Sequence, residues 1–409
     1  MSRPPSTRTK RKRVAFVNSH PIQYFAPLYA WINRSADIEA VPIYLSDFSL
    51  RGGFDKGFGR TLTWDIDLLA GTEPIFVKGA STRDPENRLD MIAPDIWRII
   101  RHGRFDAVVV HGVVYGANYL AFAAAKAAGI PVLMRADSHS GLTHSGLRGW
   151  VRSRVAGPLY RQLDGIFAIG TANRAFFRSL GVPSDRIFDF PFTVDNDRMA
   201  AASRLSAEER AAERQQLGLR PGHPTVLFAS KLTRRKNADQ LIDACARLVD
   251  AGTPIDLVIA GTGEMEGELR RLAERTPPGL NIVFPGFLNQ SELPRVFAAC
   301  DVFVLPSEEE PWGLIVNEAM AAGLPIVASR DVGAVADLVH DGENGHVFDA
   351  GDVAGLADAL RPIVTDADRR AHMSDRSRAI IGAWSYREAE NGLRAMLDHF
   401  DRDKGRDKG

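Results

Sequence analysis

The stretch 305–328, Leu-Pro-Ser-Glu-Glu-Glu-Pro-Trp-Gly-Leu-Ile-Val-Asn-Glu-Ala-Met-Ala-Ala-Gly-Leu-Pro-Ile-Val-Ala, reads as strand, acidic loop, helix, glycine stop and strand. Its helix begins near Gly313, where free N–H groups and the positive end of the helix dipole form an anion site. Glu310 stands just before that end, and Glu318 about a turn and a half inside it. At ~1.5 Å per residue the two carboxylates are of the order of 10 Å apart. That is too far for the ~5–5.5 Å of a retaining glycosidase pair, though not for an inverting one. The spacing suits two carboxylates gripping different hydroxyls of one extended ligand, with an anion between them. The plain alternative is an N-capped helix with incidental acids.

A second motif, Phe228-Ala-Ser-Lys-Leu-Thr-Arg-Arg-Lys-Asn237, follows directly on a strand. It puts Lys231 and Lys236 on a strand-to-helix loop, where their charge offsets what develops on a leaving diphosphate. Solvated loop lysines are the alternative, and Arg234 and Arg235 are expected to face solvent. Gly261-Thr-Gly263 permits close backbone approach, although a lone Gly-x-Gly is weak evidence. Pro285-Gly-Phe-Leu288 is a further candidate, with an ordinary tight turn as the alternative for both.

In the first half, Asp106-Ala-Val-Val-Val-His-Gly112 ends a strand with His111 facing the expected cleft. Arg135-Ala-Asp-Ser-His139 ends the next, and Asp137, Ser138 and His139 are candidates for the acceptor side. Asn18-Ser-His-Pro-Ile-Gln-Tyr24 offers His20 and Gln23 to the same pocket. Arg51-Gly-Gly-Phe-Asp-Lys-Gly-Phe-Gly59 is either a second phosphate-approaching loop or a surface loop. Leu147–Tyr160 mixes basic and large apolar residues. It either touches anionic lipid, together with the basic N-terminus, or packs on its own sheet.

The elements that must position these residues alternate short apolar strands with helical stretches. Strands are expected at 14–18, 40–45, 107–110, 132–135 and 165–169. Helices are expected at 21–33, 118–128 and 146–163. After a charged, alanine-rich stretch the alternation restarts. Strands are expected at 226–229, 256–260, 281–284, 302–305 and 325–328. Helices are expected at 238–251, 264–275, 291–299, 314–322 and 334–340, and at 386–400 after an irregular stretch. Continuous apolar strands between helices mark parallel sheets covered on both faces. The expected fold class is therefore α/β, with two Rossmann-like, doubly wound domains facing a central cleft. The expected boundaries are a disordered basic tail at 1–12, an N-terminal acceptor-side domain at 13–195 and a linker region at 196–220. A C-terminal nucleotide-binding domain follows at 221–383, then a helix crossing back at 384–401 and a tail at 402–409.

At 409 residues the chain has room for two such cores. Lys and Arg balance Asp and Glu at 51 each, so nucleic acid is not an expected partner. Cys245 and Cys300 are too few for a disulfide framework or a metal cage and fit a reducing cytoplasm. No apolar run reaches the ~20 residues of a membrane span. After the basic start only Val14–Val17 precede polar residues, too short for a secretory segment.

The Glu310–Glu318 stretch with its Ala-Met-Ala-Ala-Gly-Leu-Pro325 continuation resembles the Glu-x7-Glu signature of family 4 (group 1) retaining glycosyltransferases, which have the two-Rossmann-domain GT-B fold. The resemblance runs over most of the chain and is strongest from about 224 to 350. It implies transfer of a sugar from a nucleoside diphosphate sugar to an acceptor hydroxyl with retention, and with no metal or cofactor. By that likeness Glu310 binds donor-sugar hydroxyls, Glu318 the ribose, and the N–H groups of Gly313, Leu314 and Ile315 the phosphates. Trp312, Gly261, Gly263, Phe287 and Leu288 join the donor site, the 285–288 backbone reading the base. His111, Glu310 and Lys236 become the catalytic set. Two departures stand out: Lys231 replaces the family's usual arginine, and the 18–24 loop lacks a Gly-Gly pair. Expected acceptors are a lipid-linked sugar, a growing polysaccharide or a small metabolite, handled in the cytoplasm or at the inner face of the membrane. A catalytically inactive sugar-nucleotide-binding subunit and an epimerase or phosphorylase on the same fold remain alternatives.

Overall fold

The protein is described by a computed structural model covering residues 11–137 and 160–406. Ser138, His139 and most of the expected 146–163 helix lie outside the described residues.

The first domain is a seven-stranded parallel sheet in the order β5-β2-β1-β6-β7-β8-β9. Its strands are β1 (Lys12–Asn18), β2 (Ile38–Tyr44), β5 (Ile75–Phe76), β6 (Ala107–His111), β7 (Val132–Arg135), β8 (Gly165–Ala168) and β9 (Ile187–Asp189). β3 (Gly53–Asp55) and β4 (Arg60–Leu62) form a separate antiparallel hairpin. In β1, Val14, Ala15, Phe16 and Val17 are all fully buried, two on each face, because helices cover both sides.

The second domain repeats the plan with six parallel strands, β12-β11-β10-β13-β14-β15. These are β10 (Thr225–Ala229), β11 (Ile255–Ala260), β12 (Leu280–Gly286), β13 (Val302–Leu305), β14 (Ile326–Ser329) and β15 (Gly345–Phe348). In each sheet the chain order reverses beside the first strand, between β1 and β6 and between β10 and β13. A crevice opens at such a point, at the carboxyl ends of the strands. The loops after β10 and β13 carry the lysines and glutamates singled out above, so topology delivers them to one place.

Several expected boundaries are corrected. Residues 196–220 are not a linker. They form two helices, Asn196–Ala202 and Ala207–Gln216, that belong to the second domain. Met199 enters its core, and Arg210 and Arg214 donate to carbonyls at the end of the Leu293–Ala299 helix and pair with Asp301. Their many charges hid a packed face that works through guanidinium-to-carbonyl bonds. The 341–385 region is not irregular but holds β15 and the helices Val353–Thr365 and Ala367–Gly382. The last helix, Tyr386–Arg406, runs through most of the expected tail. Its Tyr386, Ala389, Leu393 and Met396 fill the core under β1 and β6, which returns the chain to the first domain. At the other end, β1 already begins at Lys12 inside the expected basic tail.

Candidate active site

The two domains face each other across a cleft of about 530 Å³. Its C-terminal wall is built on two loops that hold each other. Asn237, in the left-handed region at φ 52°, donates from its amide to Pro306 O at 3.0 Å and to Glu308 at 3.2 Å. Glu308 N–H donates to Arg235 O at 2.8 Å. This stitching brings Lys236 onto Glu310, and the two form an ion pair whose side chains are 9% and 13% exposed. Burial holds the Lys236 ammonium below its ordinary range, and Glu310 opposes that shift.

The helix Leu314–Ala321 starts at Gly313, whose φ of 90° lets the chain turn out of the acidic loop. Gly313, Leu314 and Ile315 line the cleft beside Glu310 and Trp312, so the free N–H end of this helix opens onto it. Glu318, one turn further in, is 1% exposed. Burial pushes its carboxyl up to about 7. One of its oxygens takes a long 3.4 Å contact from Gln290, and the other has no partner among the described residues. An unsatisfied buried acceptor at a cleft wall is costly and fits a hydroxyl donor from a ligand.

Gly261 lies in the same wall at φ 133°, and a Cβ there would meet Ser230 O at 1.9 Å. Gly263 does not line the cleft. At φ 155° it packs against the Leu232 backbone, so its role here is a tight crossing rather than ligand contact. Phe287 and Leu288, after β12, form the outer end of the wall.

The N-terminal wall carries His20, Gln23 and Asp137, as the sequence suggests, together with Tyr24 and Asp55, which it does not. Burial brings the His20 imidazole down to about 4, with Asp55 opposing, so His20 is neutral at physiological pH. The Tyr24 phenol is raised well above its ordinary value, by burial first and then by Glu318 and Glu310, which sets it facing the second domain's two glutamates. Its position at the end of the quoted 18–24 loop was the available signal. Lys231 reaches across the cleft to Asp55, with its ammonium 2.8 Å from both carboxylate oxygens. Asp55 belongs to the 51–59 loop quoted from the sequence, but its pairing with Lys231 could not be read there, because the partner lies in the other domain.

His111 stands at the end of β6 but does not line this cleft. Its imidazole Nε2 meets the Tyr29 hydroxyl at 3.1 Å and its ring packs on Phe25 at 4.8 Å. Phe25 packs in turn on Phe192, a cleft-wall residue, so His111 lies one aromatic layer back. Burial and the adjacent Arg135 hold it well below its ordinary pKa. Arg135 is itself sealed among Phe25, Phe190 and Phe192, and burial brings its guanidinium down to about 9. Among the described residues no three His, Cys, Asp or Glu side chains converge.

Two parallel-sheet α/β domains with their paired loops at a shared crevice define the GT-B fold. Two of the solved structures that share it illustrate the likeness. One is Anabaena Alr3699/HepE, crystallised with UDP and glucose, which is 19% identical with a TM-score of 0.71 over 95% of this chain and 100% of that one. The other is sucrose-phosphate synthase from Thermosynechococcus elongatus, 17% identical with a TM-score of 0.73 over 96% and 100%. Residues 209–380 match the family described as Glycosyl transferases group 1, and residues 75–192 match the Glycosyl transferase 4-like domain. A GDP-mannose-dependent alpha-(1-6)-phosphatidylinositol monomannoside mannosyltransferase of Mycolicibacterium smegmatis is 32% identical over 62% of this chain and 68% of its own. A D-inositol 3-phosphate glycosyltransferase of Nocardia farcinica is 32% identical over 49% and 48%. The chain spans about half the length of several such relatives. The chain belongs to the group 1 glycosyltransferases.

Proposed function

We propose that the protein transfers a hexosyl group from a nucleoside diphosphate sugar to an acceptor hydroxyl, with retention of anomeric configuration and without a metal or other cofactor. The observation that carries this is the Lys236–Glu310 pair at the open start of the Leu314–Ala321 helix, facing the interdomain cleft. In this reading the diphosphate meets the N–H groups of Gly313, Leu314 and Ile315. Lys231 and Lys236 offset the charge that develops as it leaves. Glu310 holds donor-sugar hydroxyls, and the unpartnered oxygen of Glu318 takes a ribose hydroxyl. Phe287 and Leu288 flank the base. The displacement is front-faced: the leaving phosphate oxygen accepts the acceptor's proton as the new glycosidic bond forms and the old one breaks. The protein positions both substrates and stabilises the charge between them.

His20, Gln23, Tyr24 and Asp137 face the donor wall from the acceptor side. We favour a lipid-linked or inositol-type acceptor in glycan or glycolipid synthesis, because the named relatives act on phosphatidylinositol mannosides and inositol 3-phosphate. Among the described residues no helix is long and apolar enough to cross a membrane. Peripheral contact with the inner membrane face is therefore the arrangement proposed for reaching such an acceptor.

A thermal-shift panel of UDP-, GDP- and ADP-sugars, followed by transfer assays with the stabilising donor, tests the reading. A ligand at ~100 times its Kd adds about 2.7 kcal/mol of stability. The expected result is stabilisation by one donor class and an EDTA-resistant product with the donor's anomeric configuration. An inverted product or an EDTA-sensitive reaction removes the corresponding part, and the absence of any donor binding removes the whole.

A further inference from the structure

The tip of the β3–β4 hairpin is shaped as a socket for Lys231. Asp55 Oδ1 accepts from the N–H groups of Gly57 and Phe58 at 2.8 and 3.0 Å, which fixes the carboxylate before any lysine arrives. Lys231 then pairs with both of its oxygens at 2.8 Å. The ammonium lies 4.8 Å from the centre of the Phe58 ring. A Cβ on Gly57 would come within 2.6 Å of the Lys231 side chain, so the lysine stem passes close over the hairpin backbone.

The same tip covers the outer end of the donor wall. The Phe58 ring meets Phe287 edge-on at 5.1 Å, and Arg60 stands 5.0 Å from the centre of that Phe287 ring. Phe58 O accepts from Thr262 at 2.8 Å, in the loop between Gly261 and Gly263. Just past the hairpin, Thr63 O accepts from Asn289 at 2.9 Å, and Asp65 accepts from the Ser291 N–H at 3.0 Å. The tip therefore rests on the lysine, on the glycine loop and on Phe287, while its base is tied down separately.

We infer that Asp55 is a built-in stand-in for the donor's diphosphate: its carboxylate occupies Lys231 in the donor-free protein and exchanges with the diphosphate when the donor binds. The inference rests on the reading that Lys231 meets that diphosphate. A carboxylate and a diphosphate ask the same thing of an ammonium and repel each other, so both cannot hold it closely at once. The pair is also weak enough to exchange. Its side chains are 38% and 27% exposed, in contrast to the closed Lys236–Glu310 pair, and exposed pairs contribute little. Asp55 thereby sets donor affinity from the acceptor domain. It couples release of the hairpin tip to filling of the phosphate site.

The test is calorimetric titration of UDP and GDP into the wild type, Asp55→Asn, Lys231→Ala and the double variant, with amide hydrogen exchange on the wild type. Asp55→Asn is expected to bind the preferred nucleotide about 10-fold more tightly, and that gain is expected to vanish in the Lys231→Ala background. Amides of residues 53–62 are expected to exchange faster when the nucleotide is bound. Unchanged or weaker binding by Asp55→Asn, or stronger protection of the hairpin on binding, overturns the inference while leaving glycosyl transfer in place. If the wild type binds neither nucleotide nor any nucleotide sugar, the functional reading falls and takes this one with it. The exchange measurement needs no variant and decides the matter should Asp55→Asn fail to fold.

Discussion

Lys236 and Glu310 form an ion pair nearly closed to water, in the cleft where the 314–321 helix begins. The pair has two roles that separate cleanly. As structure, each charge compensates the other in a poorly solvated place, so removing one partner leaves an uncompensated charge. As chemistry, the ammonium is aimed at a leaving diphosphate. Lys236→Ala and Glu310→Gln are each expected to lower turnover by at least ~100-fold, about what losing one preorganised stabilising contact costs. Each is also expected to lower Tm. The double variant Lys236→Met, Glu310→Gln is expected to regain Tm without regaining turnover. Recovery of both together would reduce the pair to scaffolding.

Glu318 gives a pH signature. Burial raises its carboxyl to about 7 from an ordinary value near 4.5. The folded state therefore holds a proton that the unfolded state has already lost between those values, and stability falls as pH rises through that window. Glu318→Gln cannot ionise, so the donor-free variant is expected to be more stable than the wild type at pH 8, and about equal at pH 4. Donor binding should move the other way. A ribose hydroxyl prefers the carboxylate, so wild-type affinity is expected to rise as pH passes about 7. The variant is expected to bind about 10-fold more weakly at pH 8, with a flat profile. Urea unfolding and nucleotide titration at four pH values check both halves.

What the sequence revealed follows from how local each feature is. Glu310, Gly313 and Glu318 share one strand-loop-helix segment, and Lys231 and Lys236 share another, so their joint delivery to a sheet edge could be read directly. Asp55, Tyr24 and Phe58 act across the cleft on Lys231, Glu318 and Phe287, and no local pattern encodes a pairing between domains. Strand-end placement of His111 was legible, but its aromatic cover was not, because Phe25 and Phe192 come from separate loops. The 196–220 helices were hidden by arginines whose packing partners are backbone carbonyls rather than apolar side chains.

Trp312 and Trp384 are stacked, with ring centres 5.7 Å apart and planes 18° from parallel. The contact sits where the chain crosses between domains. Trp384 donates its indole N–H to Phe192 O at 2.7 Å, and Asn317 donates to the same oxygen at 3.0 Å. Trp312 is also a wall of the cleft, so the stack links the crossing segments to the donor site. Trp384→Ala is expected to cost about 3 kcal/mol of stability, as large aromatic truncations do. It is expected to change kcat and KM together, because the angle between domains sets how the cleft closes. Trp384→Phe should restore most of the stability. Its turnover then reports whether the Phe192 hydrogen bond holds that angle.

Partial burial against Phe25 and the nearby Arg135 hold the His111 imidazole well below its ordinary range. Were its imidazole to meet the donor sugar, Phe25 would have to turn aside, and the ring would meet a neutral partner rather than a cation. Two results are expected. Wild-type turnover shows no limb from His111 between pH 5.5 and 8, whereas Phe25→Ala admits water, returns the imidazole toward its ordinary value near 6.5 and adds an acidic limb there. Nuclear magnetic resonance of the imidazole should show titration in the variant and none in the wild type. His111→Ala is expected to lower turnover at least ~100-fold, beside the loss of Tm that removing a packed, hydrogen-bonded ring brings. A loss of Tm with turnover kept within ~10-fold would instead make His111 part of the packing beneath Phe25 and remove it from the catalytic set.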